Sequence, residues 1–517
     1  MSNKIYPIGI QNFEKIRQDG YFYIDKTALV YRMVKTGSYY FLSRPRRFGK
    51  SLLISTLEAY FQGKKELFDG LAMEELEKDW IKYPVLHLDL NIEKYDTPES
   101  LDKILDSSLT AWEKIYGAEP SERSFSLRFA GIIQRACEKT GRRVAILVDE
   151  YDKPMLQAIG NEALQKQFRD TLKPFYGALK TKDGFIKFAL LTGVTKFGKV
   201  SVFSDLNNLN DISMRKEYVG ICGVSDQELH DNLDVELHEF AEARGVSYDK
   251  LCDDLKAYYD GYHFTHHSIG MYNPFSLLNA FKYKEFGSYW FETGTPTYLV
   301  KLLKKHHYDL ERMAREETDS QVLNSIDSES TNPIPVIYQS GYLTIKGYNE
   351  EFGMYRLGFP NREVEEGFVR FLLPFYANVN KVESPFEIQK FVREVRSGDY
   401  DSFFRRLQSF FADTTYEVIR EQELHYENVL FIVFKLVGFY TRVEYHTSKG
   451  RIDLVLQTDR FVYVMEFKLD GTAEEALQQI HDKHYALPFA SDGRKLFKIG
   501  VNFSAETRNI EKWVVEE

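Results

Sequence analysis

The segment that most constrains the fold joins a short apolar run to a basic turn and then to a helical pattern. Residues 39–43 have strand composition, residues 44–51 read Arg-Pro-Arg-Arg-Phe-Gly-Lys-Ser, and residues 51–61 have apolar side chains at helical spacing. A strand that runs through Gly-Lys-Ser into a helix is the setting of a Walker A phosphate loop. Such a segment predicts a parallel sheet with helices packed against it.

Three residues of this turn have the properties that phosphate binding needs. Gly49 allows the backbone to approach a phosphate, Lys50 can reach the β and γ oxygens, and Ser51 can hold magnesium at the helix N-terminus. Arg44 stands where the Walker A pattern has its first glycine. An ordinary basic turn ahead of a surface helix would have the same residues, and the turn by itself does not separate the two interpretations.

A second motif follows at residues 144–150, where an apolar strand ends in two acids as in a Walker B motif. Asp149 would bind magnesium through water, and Glu150 would activate the attacking water. Solvated carboxylates at a strand end are the alternative interpretation. The two motifs together, with another predicted strand between them, favour nucleotide binding and predict ATP as the ligand.

Other polar and basic residues could complete the nucleotide site. Thr192 and Thr195 follow the next predicted strand, where a sensor of the γ-phosphate would lie, although a simple turn fits these residues equally well. Arg46, Arg47 and Arg215 could each supply positive charge to a transition state, and the sequence does not select among them. Because Arg46 and Arg47 belong to the turn itself, we count them among the predicted nucleotide-binding residues.

The order of elements divides the chain into three predicted domains. Strands alternate with helices in residues 1–225, which predicts a P-loop NTPase-like, doubly wound parallel sheet. Residues 226–383 are mostly helical and include a hairpin at 341–357, an arrangement that a winged-helix-like module would share. Residues 384–517 return to mixed helices and strands and predict a second α/β domain.

The last of these domains carries a candidate metal site. Asp453 lies at the start of one predicted strand, and Glu466 and Lys468 share one face of the next, because side chains alternate along a strand. Cleavage of a phosphodiester needs carboxylates that fix Mg²⁺ or Mn²⁺ and a cation that orients the attacking water. These three residues supply such groups, and the backbone carbonyl of Phe467 could complete the metal site. A salt bridge between strands is the alternative use of the same residues.

Four flanking residues favour the metal site over the salt bridge. Glu423 and Glu427 lie at the start of a predicted helix that precedes the strands, and either could approach the metal. Gln479 and Tyr485 lie on a helix predicted after the Glu466 strand, where they could line the site and contact phosphate. We treat all four as accessory candidates for nuclease chemistry.

Composition argues against several other classes of protein. The three cysteines, Cys137, Cys222 and Cys252, are odd in number and widely spaced, which argues against a disulfide framework and favours a reducing cytoplasm. No segment has the length and hydropathy of a membrane span or of a secretory signal, so no membrane partner is expected. The net charge of -10 means that any contact with nucleic acid must be local.

Several strings resemble a family of bacterial proteins. Those that look like the predicted AAA-ATPase-like family are Tyr6-Pro-Ile-Gly, residues 44–51, Leu147-Val-Asp-Glu-Tyr-Asp, Tyr259-Asp-Gly-Tyr and Tyr272-Asn-Pro-Phe-Ser. Those that resemble the PD-(D/E)XK domain usually fused to it are Gly450-Arg-Ile-Asp, Glu466-Phe-Lys, Ala476-Leu-Gln-Gln-Ile and Gly500-Val-Asn-Phe. The resemblance covers nearly the whole chain. It implies that Arg44 is a family feature and that the activities are those of an ATPase and a nuclease.

Three functions fit these residues. The first is an ATP-controlled, metal-dependent nuclease that acts on nucleic acid, with DNA favoured over RNA, in defence or repair. The second is a catalytically silent, nucleotide-sensing scaffold that binds DNA, and the third is a signalling ATPase switch that uses its helical middle region to bind a partner. The set of Asp453, Glu466 and Lys468 favours the first, whereas Arg44 leaves room for the second. Assembly into a homo-oligomer is left open.

Overall fold

The structure is a computed structural model that describes residues 3–196, 208–294, 297–324, 332–377, 379–380, 382–411, 419–448, 451–469, 471–504, 506–507 and 509–517. Within these ranges, the side chains of residues 297–298, 301, 314–315, 419–423, 445–448, 451–453 and 469 lie outside the description.

The chain forms two compact units. The first contains Met1–Gly294 and Glu316–Val364, and the second contains Thr295–Arg315 and Glu365–Glu517. These bounds follow contacts in space, whereas the three domains predicted above follow the pattern of elements along the sequence. The three-domain division therefore stays a prediction.

The strands are numbered in chain order. They are β1 (Tyr39–Ser43), β2 (Val85–Asp89), β3 (Val144–Asp149), β4 (Ile186–Gly193), β5 (Asn210–Asp211), β6 (Val224–Ser225), β7 (Met271–Tyr272), β8 (Glu317–Asp319), β9 (Thr344–Asn349), β10 (Met354–Gly358), β11 (Arg442–Ser448), β12 (Arg451–Gln457), β13 (Phe461–Leu469), β14 (Lys495–Ser504) and β15 (Asn509–Glu516).

The helices are numbered in the same way. They are α1 (Phe13–Gln18), α2 (Thr27–Thr36), α3 (Lys50–Phe61), α4 (Ala72–Leu76), α5 (Glu99–Tyr116), α6 (Phe125–Thr140), α7 (Lys153–Gln157), α8 (Glu162–Thr181), α9 (Asp226–Arg244), α10 (Tyr248–Tyr259), α11 (Pro274–Tyr283), α12 (Tyr289–Glu292), α13 (Thr297–Lys305), α14 (Ser320–Asn324), α15 (Ile334–Gln339), α16 (Arg362–Tyr376), α17 (Ser384–Ser397), α18 (Tyr400–Phe411), α19 (Ile419–Gly438) and α20 (Ala473–Asp482). Within the described residues, none of them combines the length and the hydropathy needed to cross a bilayer.

The first unit is built around a parallel sheet of strand order β2-β3-β4-β1-β5. Both β1 and β3 are buried along their whole length, as expected for strands covered by helices on both faces. The register pairs Ser43 with Gly193 and Asp89 with Asp149. The carboxyl ends of these strands therefore meet at one edge of the sheet, and the predicted P-loop NTPase-like fold is confirmed.

The rest of the first unit is mainly helical, as predicted. α9 begins with a capping box formed by Ser225 and Glu228, which satisfies backbone N–H groups at the helix start. α9, α10 and α11 share a core that includes Leu237, Leu255 and Leu277. The predicted hairpin is present as β9 and β10, and β8 adds a third antiparallel strand beside β10.

The second unit contains a five-stranded sheet of order β11-β12-β13-β14-β15. Its neighbouring strands are antiparallel except for β13 and β14, which are parallel. A parallel pair needs a crossover connection, and α20 supplies it by packing Ile480 against Val462 and Val464. This is the second α/β domain that the sequence predicts, with β15 as a strand that the sequence analysis did not find.

One predicted helix is shorter than expected. The sequence pattern extended it to Tyr485, but α20 ends at Asp482. His484 has a φ of 56°, and the N–H of Tyr485 bonds back to the carbonyl of Ile480 at 3.2 Å. A residue in the left-handed conformation with this bonding pattern ends a helix, so Tyr485 lies in the turn that follows.

Candidate functional site

The phosphate loop connects β1 to α3. α3 begins at Lys50, and its N-cap is Gly49, which has a φ of 95° and is left-handed. No described side chain caps this helix N-terminus, so its first backbone N–H groups can bind an anion. A Cβ built on Gly49 would meet no described atom within 4 Å. A ligand can therefore approach the backbone closely at this point.

Arg44 has a structural role under the loop. Its side chain is 1% exposed, its Nη1 donates to the carbonyl of Ser213 at 2.7 Å, and its guanidinium lies 3.9 Å from the ring centre of Phe264. Burial lowers its pKa to about 10. The loop residues with positive φ are Arg47 and Gly49, so position 44 does not require a glycine.

Arg46 and Arg47 line the cavity in front of α3. The guanidinium of Arg46 is 4.6 Å from the ring centre of Trp290, and that of Arg47 is 5.0 Å from the ring centre of Phe275. Arg47 has a φ of 66°, a conformation that costs a residue other than glycine about 1–2 kcal/mol. Arg215 is exposed and does not line this cavity. The geometry therefore favours the two loop arginines as nucleotide-binding cations.

The acidic side of the site is the carboxyl end of β3. Asp149 is 5% exposed and accepts hydrogen bonds from the hydroxyl of Thr192 at 2.6 Å and from the N–H of Glu150 at 3.1 Å. Thr192 is itself fully buried. Its contribution to the site is therefore to orient the Asp149 carboxylate.

Glu150 and Lys50 form an ion pair across the cavity. The Nζ of Lys50 lies 3.2 Å from Oε1 of Glu150, and it also donates to two backbone carbonyls of the loop at 3.1 and 3.4 Å. Burial raises the pKa of Glu150 to about 7, against the opposing charge of Lys50. A general base works best when its pKa is near the operating pH, so this carboxylate suits the activation of water.

Asp152 is a buried acid that the sequence analysis did not assign to the site. Its carboxylate accepts hydrogen bonds from the N–H and the hydroxyl of Thr195, at 2.6 and 2.7 Å, and from the N–H of Val194 at 3.2 Å. Burial raises its pKa, and the bonds from Thr195 act in the opposite direction. A Cβ on Gly193 would lie 2.4 Å from Oδ1 of Asp152. Thr195 is thus held in place by a carboxylate from the neighbouring strand end.

A cavity of about 340 Å³ lies in front of the phosphate loop, and Asp149, Thr192 and Thr195 are not among the residues that line it. The loop cations and the N-terminus of α3 form one side, and Glu150 faces them. The remaining wall consists of the turn at residues 7–11 and of the first turns of α11, which contribute Phe275 and Leu278. The volume is in the range of small-molecule sites, and the cavity has a charged half and an apolar half.

Asn91 lines this cavity and was missed by the sequence analysis. Its backbone and side-chain oxygens accept bonds from Nζ of Lys153 at 2.6 and 3.0 Å, and its N–H donates to Asp89 at 2.8 Å. The side chain is thereby held beside Glu150 in the cavity wall. Only the sheet order, which puts β2 next to β3, brings these residues together.

The residues present fit ATP with Mg²⁺. The cations and helix N–H groups suit phosphate oxygens, and the Ser51 hydroxyl and the Asp149 carboxylate are the oxygen ligands that Mg²⁺ prefers. Mg²⁺ usually takes only one or two protein ligands, with phosphate and water as the others.

The second candidate site lies on β13. Glu466 is 0% exposed and Lys468 is half-buried. They lie on the strand face of Val462 and Val464, against which α20 packs. Asp453 of β12 stands directly opposite Glu466 in the antiparallel register. The fold therefore brings the two predicted acidic positions side by side, although the side chain of Asp453 lies outside the described residues.

The other face of β13 is covered by α19. The ring of Phe467 lies 6.0 Å from that of Phe434 in α19, so Phe467 could serve a metal only through its backbone carbonyl. Tyr426 stacks on Phe503 at 5.0 Å, and the next residue, Glu427, is half-buried. The side chain of Glu423 lies outside the described residues.

α20 positions the two downstream candidates differently. A Cβ on Gly500, which pairs with Glu466, would lie 2.0 Å from the carbonyl of Ala473 at the start of α20. The first turns of α20 are therefore the part nearest to Glu466. Gln479 is half-buried later in the helix, and Tyr485 packs against the cluster that contains Val462. Tyr485 thus lies toward the other end of β13.

Fold and sites together define a class of protein, a phosphate-loop ATPase domain followed by a nuclease-type α/β domain. Comparison with known proteins agrees: residues 7–203 match the family described as Predicted AAA-ATPase, and residues 421–513 match the PD-(D/E)XK nuclease superfamily. A protein of Azotobacter chroococcum mcd 1, described as "Uncharacterized protein in vnfD 5'region", is 35% identical over 532 residues, which cover 100% of this chain and 99% of that protein.

The chain therefore belongs to the predicted AAA-ATPase family, and its C-terminal part matches the PD-(D/E)XK nuclease superfamily. The resemblance noted from the sequence strings is confirmed.

Proposed function

We propose that this protein binds ATP in its first unit and cleaves nucleic acid with a divalent metal in its second. The observation that carries the proposal is the pairing of Lys50 with Glu150 at 3.2 Å, in front of an open helix N-terminus. A cation for phosphate and a carboxylate with a pKa of about 7 for water face each other across one cavity, as ATP hydrolysis requires.

In this proposal the β and γ phosphates of ATP lie against the N-terminus of α3. Lys50 exchanges the carboxylate of Glu150 for phosphate oxygens, and the two loop arginines add positive charge. Ser51 and Asp149 would hold Mg²⁺. Glu150, once released from Lys50, orients and activates the attacking water. The apolar wall around Phe275 accommodates the base.

The two threonines then act as sensors of the γ-phosphate through the acids that hold them. Thr192 donates to Asp149 at 2.6 Å, and Thr195 donates to Asp152 at 2.7 Å. A change in the charge near either acid alters the strength of these bonds. The loop after β4 is therefore where we expect the nucleotide state to be registered.

In the second unit, Asp453, Glu466 and the backbone carbonyl of Phe467 would hold Mg²⁺ or Mn²⁺, and Lys468 would orient the attacking water. The direct pairing of Asp453 with Glu466 across the ladder supports this assignment. Glu427, whose neighbour Tyr426 packs on Phe503, is the accessory acid that we favour, with Glu423 as the alternative.

We further propose that the nucleotide state of the first unit controls cutting by the second. DNA is the favoured substrate over RNA, in a cytoplasmic role in defence or repair. Gln479 contacts the substrate more readily than Tyr485 in this proposal, because Tyr485 packs toward the far end of β13. The alternatives remain a scaffold without catalysis and a signalling switch.

The test is cleavage of linear and circular DNA with Mg²⁺ or Mn²⁺, with and without ATP. Asp453→Ala and Glu466→Gln should abolish cutting and leave ATP binding unchanged. Lys50→Ala should abolish ATP binding and the effect of ATP on cutting. Glu150→Gln should bind ATP at least as tightly as the wild type, because Lys50 loses its competing carboxylate, and should hydrolyse it about 100-fold or more slowly.

Metal-dependent cutting that survives Asp453→Ala would exclude the assigned metal site. The absence of both cutting and ATP hydrolysis would favour the scaffold. If the wild type cuts equally well with and without ATP, the nuclease activity stands, but the proposed regulation of cutting by ATP is excluded. Slow ATP hydrolysis without any cutting would favour the signalling switch.

A further inference from the structure

The second unit has a cationic cluster at the C-terminal end of α13, which we call the Lys304–His307 patch. It consists of four consecutive residues, Lys304, Lys305, His306 and His307. Lys304, Lys305 and His307 are exposed, and His306 is half-buried. Four potential cations in a row are unusual in a chain with a net charge of -10.

The electrostatic surroundings of the patch are positive. Burial lowers the pKa of Lys304, and burial with the charges of Lys305 and His307 lowers that of His306. The neighbouring His425 has its pKa lowered to about 4 by burial and by Lys304. Among the described side chains, neither lysine has a carboxylate within ion-pair distance. Among the described residues, Lys304 and Lys305 thus lack the acidic partners that usually accompany surface lysines.

The backbone at this helix end is also unusual. The N–H of Tyr308 bonds to the carbonyl of Leu303 at 3.0 Å, and the N–H of His307 bonds to that of Lys304 at 3.2 Å. This is a Schellman motif, whose left-handed position is normally a glycine. Here His307 occupies that position with a φ of 45°. Cations near a helix C-terminus offset its dipole, but that effect does not call for a histidine in a conformation that favours glycine.

The patch lies at the same end of the sheet as the candidate metal site. Asn428 of α19 fixes it, because its Oδ1 accepts the N–H of Leu310 at 2.8 Å and its Nδ2 donates to the carbonyl of Tyr308 at 3.1 Å. Two residues earlier in α19, Tyr426 stacks on Phe503 at 5.0 Å. Phe503 pairs with the residue that follows Lys468 on β13. A short chain of contacts therefore joins the patch to the Lys468 end of that strand.

We propose that the Lys304–His307 patch binds the phosphate backbone of nucleic acid and holds the strand for cleavage at Glu466 and Lys468. The inference rests on the proposed nuclease function. Lysine and histidine side chains donate hydrogen bonds to phosphate oxygens and release counterions when they do so. An acidic protein that acts on nucleic acid needs such a local site, and contacts of α19 connect this one to the Lys468 end of β13. Phosphate contacts carry no sequence information, so the patch positions the strand without selecting its sequence.

The experiment measures binding separately from cutting. Full-length protein is titrated with fluorescein-labelled single-stranded DNA, duplex DNA and RNA of one sequence, in Ca²⁺ in place of Mg²⁺, and anisotropy is recorded between about 50 and 200 mM salt. Lys304→Gln/Lys305→Gln should weaken binding about tenfold at the lower salt concentration and reduce the slope of log K against log salt by about 1 for each lysine that contacts phosphate. The three probes show which form of nucleic acid the patch accepts.

The chain offers a matched control at the end of α20. Lys483 and His484 also stand at a helix C-terminus, and His484 has a φ of 56°. There, however, the nearby His481 is paired with Glu516 at 2.9 Å, and Tyr485 packs toward the other end of β13. Lys483→Gln should therefore leave binding unchanged. His307→Gly should weaken binding and His484→Gly should not, although both relieve the same backbone strain.

The outcomes separate the patch from the proposed function. Equal binding of the probes by the wild type and by Lys304→Gln/Lys305→Gln would overturn the proposed role of the patch, whether or not the wild type cuts. If the variant binds more weakly but the wild type does not cut, the patch binds nucleic acid as proposed and the proposed nuclease function is overturned. No binding of any probe by the wild type would overturn both. Competition by polyglutamate that equals competition by DNA would show a general anion site and overturn the nucleic-acid assignment.

Discussion

The Nζ of Lys50 lies 3.2 Å from Oε1 of Glu150, so the cation of the phosphate loop is paired with the carboxylate proposed to activate water. Both side chains are largely withdrawn from solvent, with exposures of 3% and 18%. A ligand phosphate must displace this carboxylate to reach Lys50. Nucleotide binding and release of the base are thus one event in this geometry.

The first prediction concerns the pH dependence of stability. Burial raises the pKa of Glu150 from 4.5 to about 7, so the folded protein keeps a proton that the unfolded chain loses. Stability is therefore lost as pH rises from about 4.5 to about 7, by up to about 3 kcal/mol. Glu150→Gln does not titrate and should lack this loss. The check is the melting temperature of both proteins, without nucleotide, across this window. Parallel curves would show that the pKa of Glu150 is not raised.

The second prediction concerns the strained loop arginine. Arg47 has a φ of 66°, so Arg47→Gly removes strain of about 1–2 kcal/mol, which the greater freedom of glycine in the unfolded chain partly offsets. Stability should stay equal or rise by up to about 1 kcal/mol, while the affinity for ATP falls about tenfold or more through the lost charge–phosphate contact. Calorimetry of ATP binding and thermal melts check the two effects. Arg215→Gly, at an exposed position off the cavity, should not change the affinity for ATP.

The third prediction concerns the first position of the loop. Arg44→Gly restores the usual Walker A glycine, yet it should destabilise the protein by about 2–4 kcal/mol and should not improve ATP binding. The reason is that the variant leaves the buried carbonyl of Ser213 without its donor and removes the guanidinium from the ring of Phe264. Thermal melts of Arg44→Gly and Arg47→Gly check this prediction. The same substitution at two positions three residues apart should lower stability at position 44 and maintain or raise it at position 47. A stable Arg44→Gly variant would contradict this account.

The fourth prediction concerns the packing of α20 on β14. In Gly500→Ala the new methyl group would lie 2.0 Å from the carbonyl of Ala473 and 2.4 Å from the N–H nitrogen of Leu477. α20 must move, which should cost about 1–3 kcal/mol and reduce cutting about 100-fold, because Glu466 lies directly beside this position. Gly493→Ala, where a Cβ would meet no described atom within 4 Å, is the control. Full cutting by Gly500→Ala would show that the contact tolerates displacement.

The elements with strong periodicity could be predicted from the sequence. The strand at 39–43 has the predicted bounds, and α3 covers the helical pattern at 51–61, because apolar spacing over several turns leaves one arrangement that buries the apolar face. α6 and β15 were missed. In α6, Arg128 pairs with Glu113 of α5, and such pairing between helices is invisible in a single sequence.

For the candidate sites, the sequence could predict only the residues that belong to short local motifs, and not the residues that the fold places beside them. Lys50, Glu150, Glu466 and Lys468 stand out because each belongs to a short local motif. Asp152 and Asn91 carry no motif of their own, and their place in the site comes from hydrogen bonds to Thr195 and Lys153, which lie more than 40 residues away. The Lys304–His307 patch likewise depends on Asn428, which is more than 100 residues distant.

The sequence by itself indicated the family and the two proposed kinds of chemistry, because phosphate loops and metal-binding strands use residues that are neighbours in the chain. The tertiary structure decided what those residues face. It put Arg44 beneath the loop, Arg47 in front of it, and Lys50 against Glu150. The physical reason is that strand order and register bring distant segments together, and a pKa or an ion pair depends on that environment.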